Sequence, residues 1–375
     1  MESEELQDGM KKMQIQLYDL SIKEDECRKR IFSAIESVIQ HSQFIHGNET
    51  QTFEKRWAKY CNYKYAIGSN SGTDSLEAII RSYCLDKNLD KNGKFIVPVN
   101  TYSATAMAIC NAGYTPIFID CNDNYGMNLE NLEYLIEYNE NIIGIIPVHL
   151  YGIPDNILEI NKIANMYNLI VIEDAAQAHG LEIPGKNDRI FSFYPTKNLG
   201  AFGDGGMIVT DSKERAIWIE KWRNQGRLTK DTIHHEIIGS NSRLDTLQAA
   251  ILDVKLDYLD IWNKNRYNNA QLYYEFLSDT DIILPPNKGV FHFYVIRTKM
   301  RDKLLKSLRE KGIGCSIHYP LPLHLQNAFK YLGYNKGDFP IAEILSNEII
   351  SIPMHPYLKE EETKFVCDTI KDILK

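Results

Sequence analysis

Short apolar runs alternate with longer amphipathic stretches between about residues 63 and 212 of this chain. Strands that are apolar on both faces and separated by helices are typical of a parallel sheet that is covered on both sides. We therefore expect an α/β fold with one open, mostly parallel central sheet. The pattern predicts strands at 95–97, 116–120, 142–148, 169–173 and 207–210, and helices at 74–84, 103–112, 129–137 and 155–167.

The spacing of apolar residues changes in the C-terminal part of the chain. One long helix is predicted over about 244–277, because apolar residues recur there at helical spacing. These residues are Leu244, Leu247, Ile251, Val254 and Tyr258. Prolines at 285–286 then interrupt the chain, and a strand at 290–296 and helices near 301–311 and 360–374 follow.

This change of pattern predicts two domains and a tail. We expect a large domain at 14–250 and a smaller α+β domain at 251–375, which the long helix enters. Residues 1–13 mix charged residues without apolar periodicity, so we expect a flexible tail. The length of 375 residues and the hydrophobic fraction of 44% suffice for a large buried core.

The overall charge excludes one class of partner. The formal net charge is −8, and no run is rich in lysine or arginine, so the concentrated positive face that nucleic-acid binding needs is missing. A locally basic pocket for a small anion remains compatible with that charge.

The cysteines and the N-terminus indicate a reducing, cytoplasmic location. The number of cysteines is odd and none are spaced as Cys-x-x-Cys, so we expect no zinc ribbon, redox motif or disulfide framework. They are Cys27, Cys61, Cys84, Cys110, Cys121, Cys315 and Cys367. The first twenty residues lack the apolar stretch of a signal peptide, and no apolar run reaches about 18 residues, so we expect no membrane span.

Polar residues follow several of the predicted strands, where ligands bind in open α/β sheets. The first such segment, at 68–74, consists of small residues that lead into a helix. Free N–H groups and the helix dipole favour a phosphate there, with Gly72 and Thr73 as candidates. An ordinary helix start, with Asp74 and Glu77, is the alternative.

The second segment ends the predicted strand at 169–173, where Glu173 and Asp174 follow one another. A buried carboxylate needs a partner, because an unpaired one is costly. A protonated pyridine nitrogen is one candidate partner for Asp174. A helix cap or a pair with an arginine is the alternative.

The third segment contains Lys197, which is flanked by apolar and aromatic residues and followed by several glycines. A desolvated lysine has a lowered pKa and can attack an aldehyde. The alternative is a lysine whose stem packs while its head reaches water.

The fourth segment is a proline-rich loop at 317–324 with three polar rings: His318, Tyr319 and His324. These rings can hydrogen-bond a sugar, or they are ordinary surface-loop residues. His149, after the strand at 142–148, is open to the same two interpretations. No acid or cysteine lies beside the loop histidines, so their spacing predicts no metal site.

The combination of these segments is more specific than any one of them. Pyridoxal phosphate requires three features of a protein: a phosphate-binding turn, an acid for the ring nitrogen and a lysine able to form an imine. The sequence therefore predicts a pyridoxal-phosphate site.

Seven segments resemble, in family order, the signatures of the sugar aminotransferases of the DegT/DnrJ/EryC1/StrS family. They are 72–74, 97–105, 147–152, 173–177, 192–200, 203–206 and 241–245. The resemblance extends from about residue 16 to the C-terminus and implies the type I fold of aspartate aminotransferase, the PLP-dependent transferase fold. The main departure is Thr196, where a glycine or similar small residue is common, and it leaves Lys197 in place.

The resemblance also implies individual roles. Lys197 matches the lysine that bonds to the cofactor, and Asp174 matches the acid that holds the pyridine nitrogen. Gln177 matches a residue near the ring hydroxyl, and Tyr102 matches an aromatic residue that stacks on the ring. Phosphate contacts are implied for Gly72, Thr73, Ser192 and Asn241. Asn241 matches a contact supplied by the neighbouring subunit, which implies a homodimer with shared active sites.

We expect substrate contacts at His318, Tyr319, His324, Arg243 and His149. The implied reaction moves an amino group from L-glutamate to a nucleotide-linked keto sugar in amino-deoxy sugar biosynthesis. The stretch at 314–326 resembles members that aminate a 3-keto group, on a dTDP-3-keto-6-deoxyhexose or a UDP-linked 3-keto uronic acid. A 4-keto sugar is the alternative position.

Two other functions use the same fold. Sugar 3-dehydratases replace the lysine with histidine, so Lys197 argues against that reaction. A non-catalytic PLP-binding regulator or scaffold is an alternative of another class. No helix-turn-helix segment is visible, and every expected cofactor residue is present, which favours the enzyme.

Overall fold

A computed structural model describes residues 14–83, 92–228 and 233–375 of the protein. The predicted tail at 1–13 and Cys84 lie outside the described residues. The strands in these ranges are β1 Tyr65–Ser69, β2 Lys94–Pro98, β3 Thr115–Ile119, β4 Ile142–Ile145, β5 Ile170–Asp174, β6 Asp188–Ser192, β7 Gly206–Thr210, β8 Tyr294–Arg297 and β9 Ile349–Ile352. The helices are α1 Asp25–His41, α2 Asn48–Tyr60, α3 Gly72–Ser82, α4 Ser103–Asn111, α5 Leu132–Tyr138, α6 Ile157–Met166, α7 Lys213–Arg223, α8 Thr246–Leu256, α9 Leu259–Leu277, α10 Arg301–Glu310, α11 Pro340–Glu348 and α12 Glu360–Leu374.

Seven strands form one sheet in the order β1-β7-β6-β5-β4-β2-β3. The pairs from β6 through β5, β4 and β2 to β3 are all parallel, and β7 runs antiparallel to both of its neighbours. This arrangement confirms the prediction of an α/β fold with a mostly parallel sheet. The strands β1 and β6 were not among the predicted strands.

The sheet is covered on both faces. Successive side chains of a strand point to opposite faces. Ile172, Ile190 and Ile208 belong to one buried apolar cluster, whereas their neighbours Val171 and Phe191 belong to two others. Burial on both sides explains why the central strands contain so few polar residues.

The prediction of one long helix over 244–277 is wrong, because Asp257 and Tyr258 separate α8 from α9. The amides of these two residues bond back three residues, to the carbonyl oxygens of Val254 at 3.3 Å and Lys255 at 3.0 Å. Such bonds tighten the turn and end an α-helix. The Asp257 carboxylate is also held from outside, by Arg30 at 2.6 Å and by Arg56. Apolar spacing continues through the break, so the pattern alone could not show it.

The C-terminal part has its own apolar core around β8 and β9, which pair in antiparallel fashion. Residues of α9, α10 and α12 cover this pair. Ile15 packs into the same core and forms a parallel bridge with Ile313. The start of the described chain therefore packs on the C-terminal part rather than on the large sheet, where the sequence placed it. The domain boundary between 250 and 251 stays a prediction. No helix in the described ranges is long and apolar enough to cross a lipid bilayer.

Asp120 ties the end of β3 to α11. Its Oδ2 accepts the amide of Ile341 at 2.9 Å, and its Oδ1 accepts the amides of Ala342 at 2.9 Å and Cys121 at 2.8 Å. The first amides of a helix have no acceptor within the helix, so a carboxylate that receives them stabilises the helix start. Asp120 is buried, and its contacts with the amides of Ile341 and Ala342 join the large sheet to the C-terminal part.

Replacing this carboxylate tests the contact. We expect Asp120→Ala to lower the free energy of unfolding by roughly 1–3 kcal/mol, because it leaves buried amides without an acceptor. Asp372→Ala is the matched control, since the Asp372 side chain is 75% exposed, and it should change stability by no more than about 0.5 kcal/mol. Urea denaturation followed by circular dichroism measures both, and equal midpoints for the two variants would show that Asp120 does not stabilise this junction.

Candidate active site

The sheet topology brings the chemically active residues to one edge. The strands β2, β4, β5 and β6 are parallel, so their carboxyl ends lie together. β1 runs in the same direction as β6, because both pair antiparallel with β7. Ser69 and Ser192 even share one partner residue, Gly206. The turns after β1, β2, β5 and β6 therefore surround one site.

Asp174, the last residue of β5, is 6% exposed. Its Oδ2 accepts the hydroxyl of Thr105 at 2.8 Å, and its Oδ1 accepts the amide of Ala176 at 3.0 Å. Burial raises the pKa of Asp174, whereas these two hydrogen bonds and the charge of Lys197 oppose that shift. Asp174 caps no helix and pairs with no arginine within the described chain, so both structural alternatives fail.

An arginine, Arg189, pairs with the neighbouring acid, Glu173, rather than with Asp174. Arg189 donates from Nε to Glu173 at 2.6 Å, and the two residues are register partners on β5 and β6. Successive residues of a strand face opposite sides of the sheet. Glu173 therefore uses the arginine on one side, and Asp174 is left for the site on the other.

Lys197 lies in the turn after β6, where its amide bonds to the carbonyl oxygen of Tyr194 at 2.9 Å. Its ammonium makes no hydrogen bond or ion pair with any residue in the described ranges. Burial lowers the pKa of Lys197 to about 8, and Asp174 opposes this shift. A substantial fraction of the amine is then neutral near physiological pH, as a nucleophile requires.

The turn before α3 fits a phosphate. Ser71 rather than Asp74 is the helix cap, because its hydroxyl accepts the Asp74 amide at 3.1 Å. Gly72 and Thr73 then open the helix, where amides lack intrahelical acceptors. A Cβ on Gly72 would lie 2.8 Å from the Cβ of Ser192, so only glycine allows the helix start to approach Ser192.

Gln177 holds a group of tyrosines at the side of the site. Its side-chain oxygen accepts the amide of Tyr151 at 2.7 Å, and its nitrogen donates to the hydroxyl of Tyr319 at 3.2 Å. The ring of Tyr319 lies 5.5 Å from that of Tyr102, which is 57% exposed. Tyr102 and Tyr319 thus form the open side of the site.

His318 is fixed from three directions. Its ring stacks on Phe293 at 4.0 Å with an interplanar angle of 8°. Its nitrogens contact the hydroxyl of Ser351 at 2.8 Å and that of Tyr18 at 3.2 Å. Burial and the charge of Lys197 lower the pKa of His318 to about 4, so the ring is neutral.

Two predicted substrate contacts are not at the site. His149 is fully buried, with Nε2 3.0 Å from Glu173 and Nδ1 accepting the amide of Asp155 at 3.1 Å. His324 is also buried, with Nε2 3.0 Å from Glu343 and its ring against Phe339. Both histidines therefore have structural contacts. Their sequence positions, after a strand for His149 and in the loop for His324, did not show how they differ from His318.

The segment 241–243 lies beside the turn that precedes α3. The hydroxyl of Ser242 accepts the amide of Asn70 at 3.3 Å. Asn241 is exposed, and Arg243 is half-buried. Neither side chain makes a hydrogen bond or ion pair with another residue of the described chain, so both are available to a ligand or to a second subunit.

Several residues near the site were not singled out from the sequence. Thr105 lies within one of the resembling segments, but nothing in the pattern indicated its bond to Asp174. Tyr18 belongs to a segment without a clear element pattern. His292 is buried, and burial together with the charge of Lys197 holds its pKa well below the ordinary value. No group of three or more metal-binding side chains occurs in the described residues.

The lowered pKa of Lys197 predicts its reactivity. We expect the rate of labelling by an amine-selective acylating reagent in the cofactor-free protein to rise with a midpoint near pH 8, because only the neutral amine reacts. Mass spectrometry of the Lys197 peptide measures the rate. The control is the same peptide in the urea-unfolded chain, where the midpoint should lie near about 10.4. Equal midpoints in the folded and unfolded chains would contradict burial of the amine.

Comparison with known proteins gives consistent results over most of the chain. The sequence profile of the DegT/DnrJ/EryC1/StrS aminotransferase family matches residues 25–371. A dTDP-3-amino-3,6-dideoxy-alpha-D-galactopyranose transaminase of Aneurinibacillus thermoaerophilus is 39% identical over 92% of this chain and 95% of its own. A pleiotropic regulatory protein of Geobacillus stearothermophilus is 37% identical over 97% of this chain and 99% of its own. The crystal structure of S. venezuelae DesV matches with a TM-score of 0.89 and 34% sequence identity. The match covers 96% of this chain and 98% of the DesV chain.

Proposed function

The chain belongs to the DegT/DnrJ/EryC1/StrS aminotransferase family, and on that premise we propose that it transfers an amino group from L-glutamate to a nucleotide-linked keto sugar. Pyridoxal phosphate is the proposed cofactor. The observation that carries the proposal is that the parallel neighbours β5 and β6 bring the buried Asp174 carboxylate and the turn with Lys197 to one edge of the sheet. Each of the two charges opposes the shift in the pKa of the other group.

The residues present fit this cofactor. The start of α3 and the Ser192 hydroxyl form a cradle that a Cβ at Gly72 would fill, which suits a phosphate. The Asp174 carboxylate receives hydrogen bonds only from neutral groups within the described chain, so it can still accept one from a protonated ring nitrogen. Lys197 has no hydrogen-bond or ion-pair partner among the described residues, as expected of an amine that bonds to an aldehyde.

Pyridoxal phosphate, when bound, supplies an aldehyde and a ring that withdraws electrons from the reacting carbon. Asp174 keeps a proton on the ring nitrogen by remaining ionised. Thr105 supports this role, because its hydroxyl bonds to Oδ2 and stabilises the charged carboxylate. The residues proposed to hold the phosphate are Gly72, Thr73, Ser192 and Asn241.

Lys197 is proposed to move protons during the reaction. Its amine would accept the proton of the donor's α-carbon as a general base and would release it again as a general acid. The lowered pKa places this amine near the operating pH, where a general base is most effective. Neutral His318 adds no positive charge that would lower this pKa further.

The proposed acceptor is a dTDP-3-keto-6-deoxyhexose, in the biosynthesis of an amino-deoxy sugar. Support comes from the resemblance of the stretch at 314–326 to enzymes that aminate a 3-keto group and from the relative of A. thermoaerophilus, whose name gives a 3-amino sugar carried by dTDP. His318, Tyr319 and Arg243 are the proposed sugar or nucleotide contacts. A UDP-linked 3-keto uronic acid and a 4-keto sugar are the alternatives.

A product assay with wild-type and variant protein tests the function. We expect glutamate-dependent amination of at least one nucleotide keto sugar in a panel that covers dTDP and UDP carriers with 3-keto and 4-keto groups, read by mass spectrometry. Lys197→Ala should lower turnover by about 10³-fold or more, and Asp174→Asn by about 10²-fold or more, with unchanged circular dichroism.

Lys264→Ala is the control, because Lys264 is an exposed lysine on α9. Normal turnover by Lys197→Ala would end the assignment. A protein that binds pyridoxal phosphate but aminates no sugar in the panel would favour the regulatory alternative, which the name of the G. stearothermophilus relative keeps open.

We further propose a homodimer in which each active site contains Asn241 of the neighbouring subunit. Two apolar side chains close to Asn241 in sequence are strongly exposed in the single chain, Ile233 at 80% and Ile238 at 96%. Burial of these two side chains against a second subunit would remove their apolar surface from water. The free Asn241 side chain on the same segment is then positioned to reach a second subunit.

Complementation between inactive variants tests the shared site. In mixed dimers of Lys197→Ala and Asn241→Ala, one of the two sites combines an intact Lys197 with an intact Asn241. We expect a mixture of the two weakly active proteins, after subunit exchange, to regain about a quarter of wild-type activity. Mixing Lys197→Ala with Asp174→Asn is the control and should restore nothing, since both residues come from the same subunit. Failure of the first mixture, with subunit exchange verified, would place Asn241 in its own subunit's site.

A further inference from the structure

Lys255 is a buried lysine that the reaction proposed above does not use. It lies in α8 and is 9% exposed. Its ammonium donates a hydrogen bond to the carbonyl oxygen of Gly200. The rings of Phe202 and Trp262 lie 5.5 Å and 5.8 Å from its Nζ. No carboxylate of the described chain lies within 4.0 Å of this ammonium.

Stability alone does not explain a lysine at this position. Removing an ammonium from water is costly when no carboxylate compensates it. One carbonyl oxygen and two ring faces offset part of that cost. An apolar side chain of similar length would fill the same space without any such cost, so the ammonium is expected to serve a different purpose.

The carbonyl that Lys255 holds belongs to the turn that carries Lys197. This turn is closed by two backbone hydrogen bonds, from the Lys197 amide to Tyr194 at 2.9 Å and from the Ala201 amide to Phe193 at 2.8 Å. The turn is also very tight, because a Cβ on Gly200 would lie 2.3 Å from the carbonyl oxygen of Pro195.

Two residues of α8 hold the far end of this turn. Gln248 accepts the amide of Phe202 at 2.8 Å through its side-chain oxygen. Lys255 is seven residues further along, and so on the same face of the helix. At the near end, Asn198 donates to the carbonyl oxygen of Val290 at 2.9 Å. Among these contacts, only that of Lys255 is a charge-assisted hydrogen bond, the stronger kind.

We propose that Lys255 is a positioning residue for the amine of Lys197, which it orients by holding the Gly200 carbonyl and hence the end of the catalytic turn. This inference rests on the proposed function, since it concerns the reaction of Lys197. Lys255 itself touches no substrate. Its loss should affect the steps in which Lys197 moves a proton, where a displacement of about 1 Å can cost about 100-fold in rate.

Lys255→Met tests the proposal, because methionine retains the apolar stem without the charge. In the cofactor-free variant, we expect the amides of Lys197 and Ala201 to exchange hydrogen at least about tenfold faster than in the wild type, as their turn opens more often. In the enzyme with cofactor, kcat should fall by about 10- to 100-fold while KM for both substrates stays within about twofold.

Lys264→Met on α9 removes an exposed lysine and is the matched control; both readouts should equal those of the wild type. Lys255→Arg restores a cation that can donate to the Gly200 carbonyl and should recover most of the protection and of kcat. If Lys255→Met does not fold, this arginine variant carries the test. The proposal would be overturned if Lys255→Arg showed the faster hydrogen exchange or the lower kcat that is expected when the contact with the Gly200 carbonyl is lost.

The two readouts separate this inference from the proposed function. Hydrogen exchange in the cofactor-free chain needs no substrate, so it reports on Lys255 even if no sugar is aminated. Unchanged exchange at Lys197 and Ala201 in Lys255→Met overturns the positioning role and leaves the aminotransferase intact. Faster exchange with unchanged kcat also overturns it, because the turn would then move without consequence for Lys197.

Discussion

A buried carboxylate and the amine of a half-buried lysine, both at one edge of a sheet, impose the main constraint on this protein. Burial disfavours the charged form of each, so it raises the pKa of Asp174 and lowers that of Lys197. Their mutual attraction opposes both shifts. The balance leaves an acid that must be kept ionised by donors and an amine that is easily deprotonated.

The pairing of β5 with β6 gives two adjacent acids, Glu173 and Asp174, different roles. Glu173 faces Arg189, His149 and Asn187, which donate to its oxygens at 2.6, 3.0 and 2.8 Å. That cluster lies on the face of the sheet opposite to Asp174, so its arginine does not neutralise the Asp174 carboxylate. Because the side chains of a strand alternate, the same two consecutive residues supply a structural ion pair and a free carboxylate.

The sequence predicted the parts that follow from chain direction and hydrophobic pattern. Asp174 follows an apolar strand, where ligands bind in a parallel sheet. Lys197 was placed in the same site because a phosphate-binding turn, an acid and a lysine together match what pyridoxal phosphate requires. β6 was missed because Asp188 and Arg189 are polar, although both are buried by ion pairs that only the fold creates. The break between α8 and α9 was missed because Asp257 is held by distant arginines. The sequence pattern predicted the same role, a substrate contact, for His149 and His318. Only the residues that they contact in the fold distinguish them.

The pairing of Ile15 with Ile313 has a consequence for the order of folding. Ile15 donates to the carbonyl oxygen of Gly312 at 3.0 Å and accepts from the amide of Gly314 at 2.7 Å. During synthesis these partners emerge about 300 residues after Ile15, so the N-terminal segment must wait unpaired while the large sheet assembles. Tyr18, three residues further on, can reach His318 only then. Closure of this side of the pocket is therefore a late event, and a nascent chain cannot complete it before residue 318 has left the ribosome.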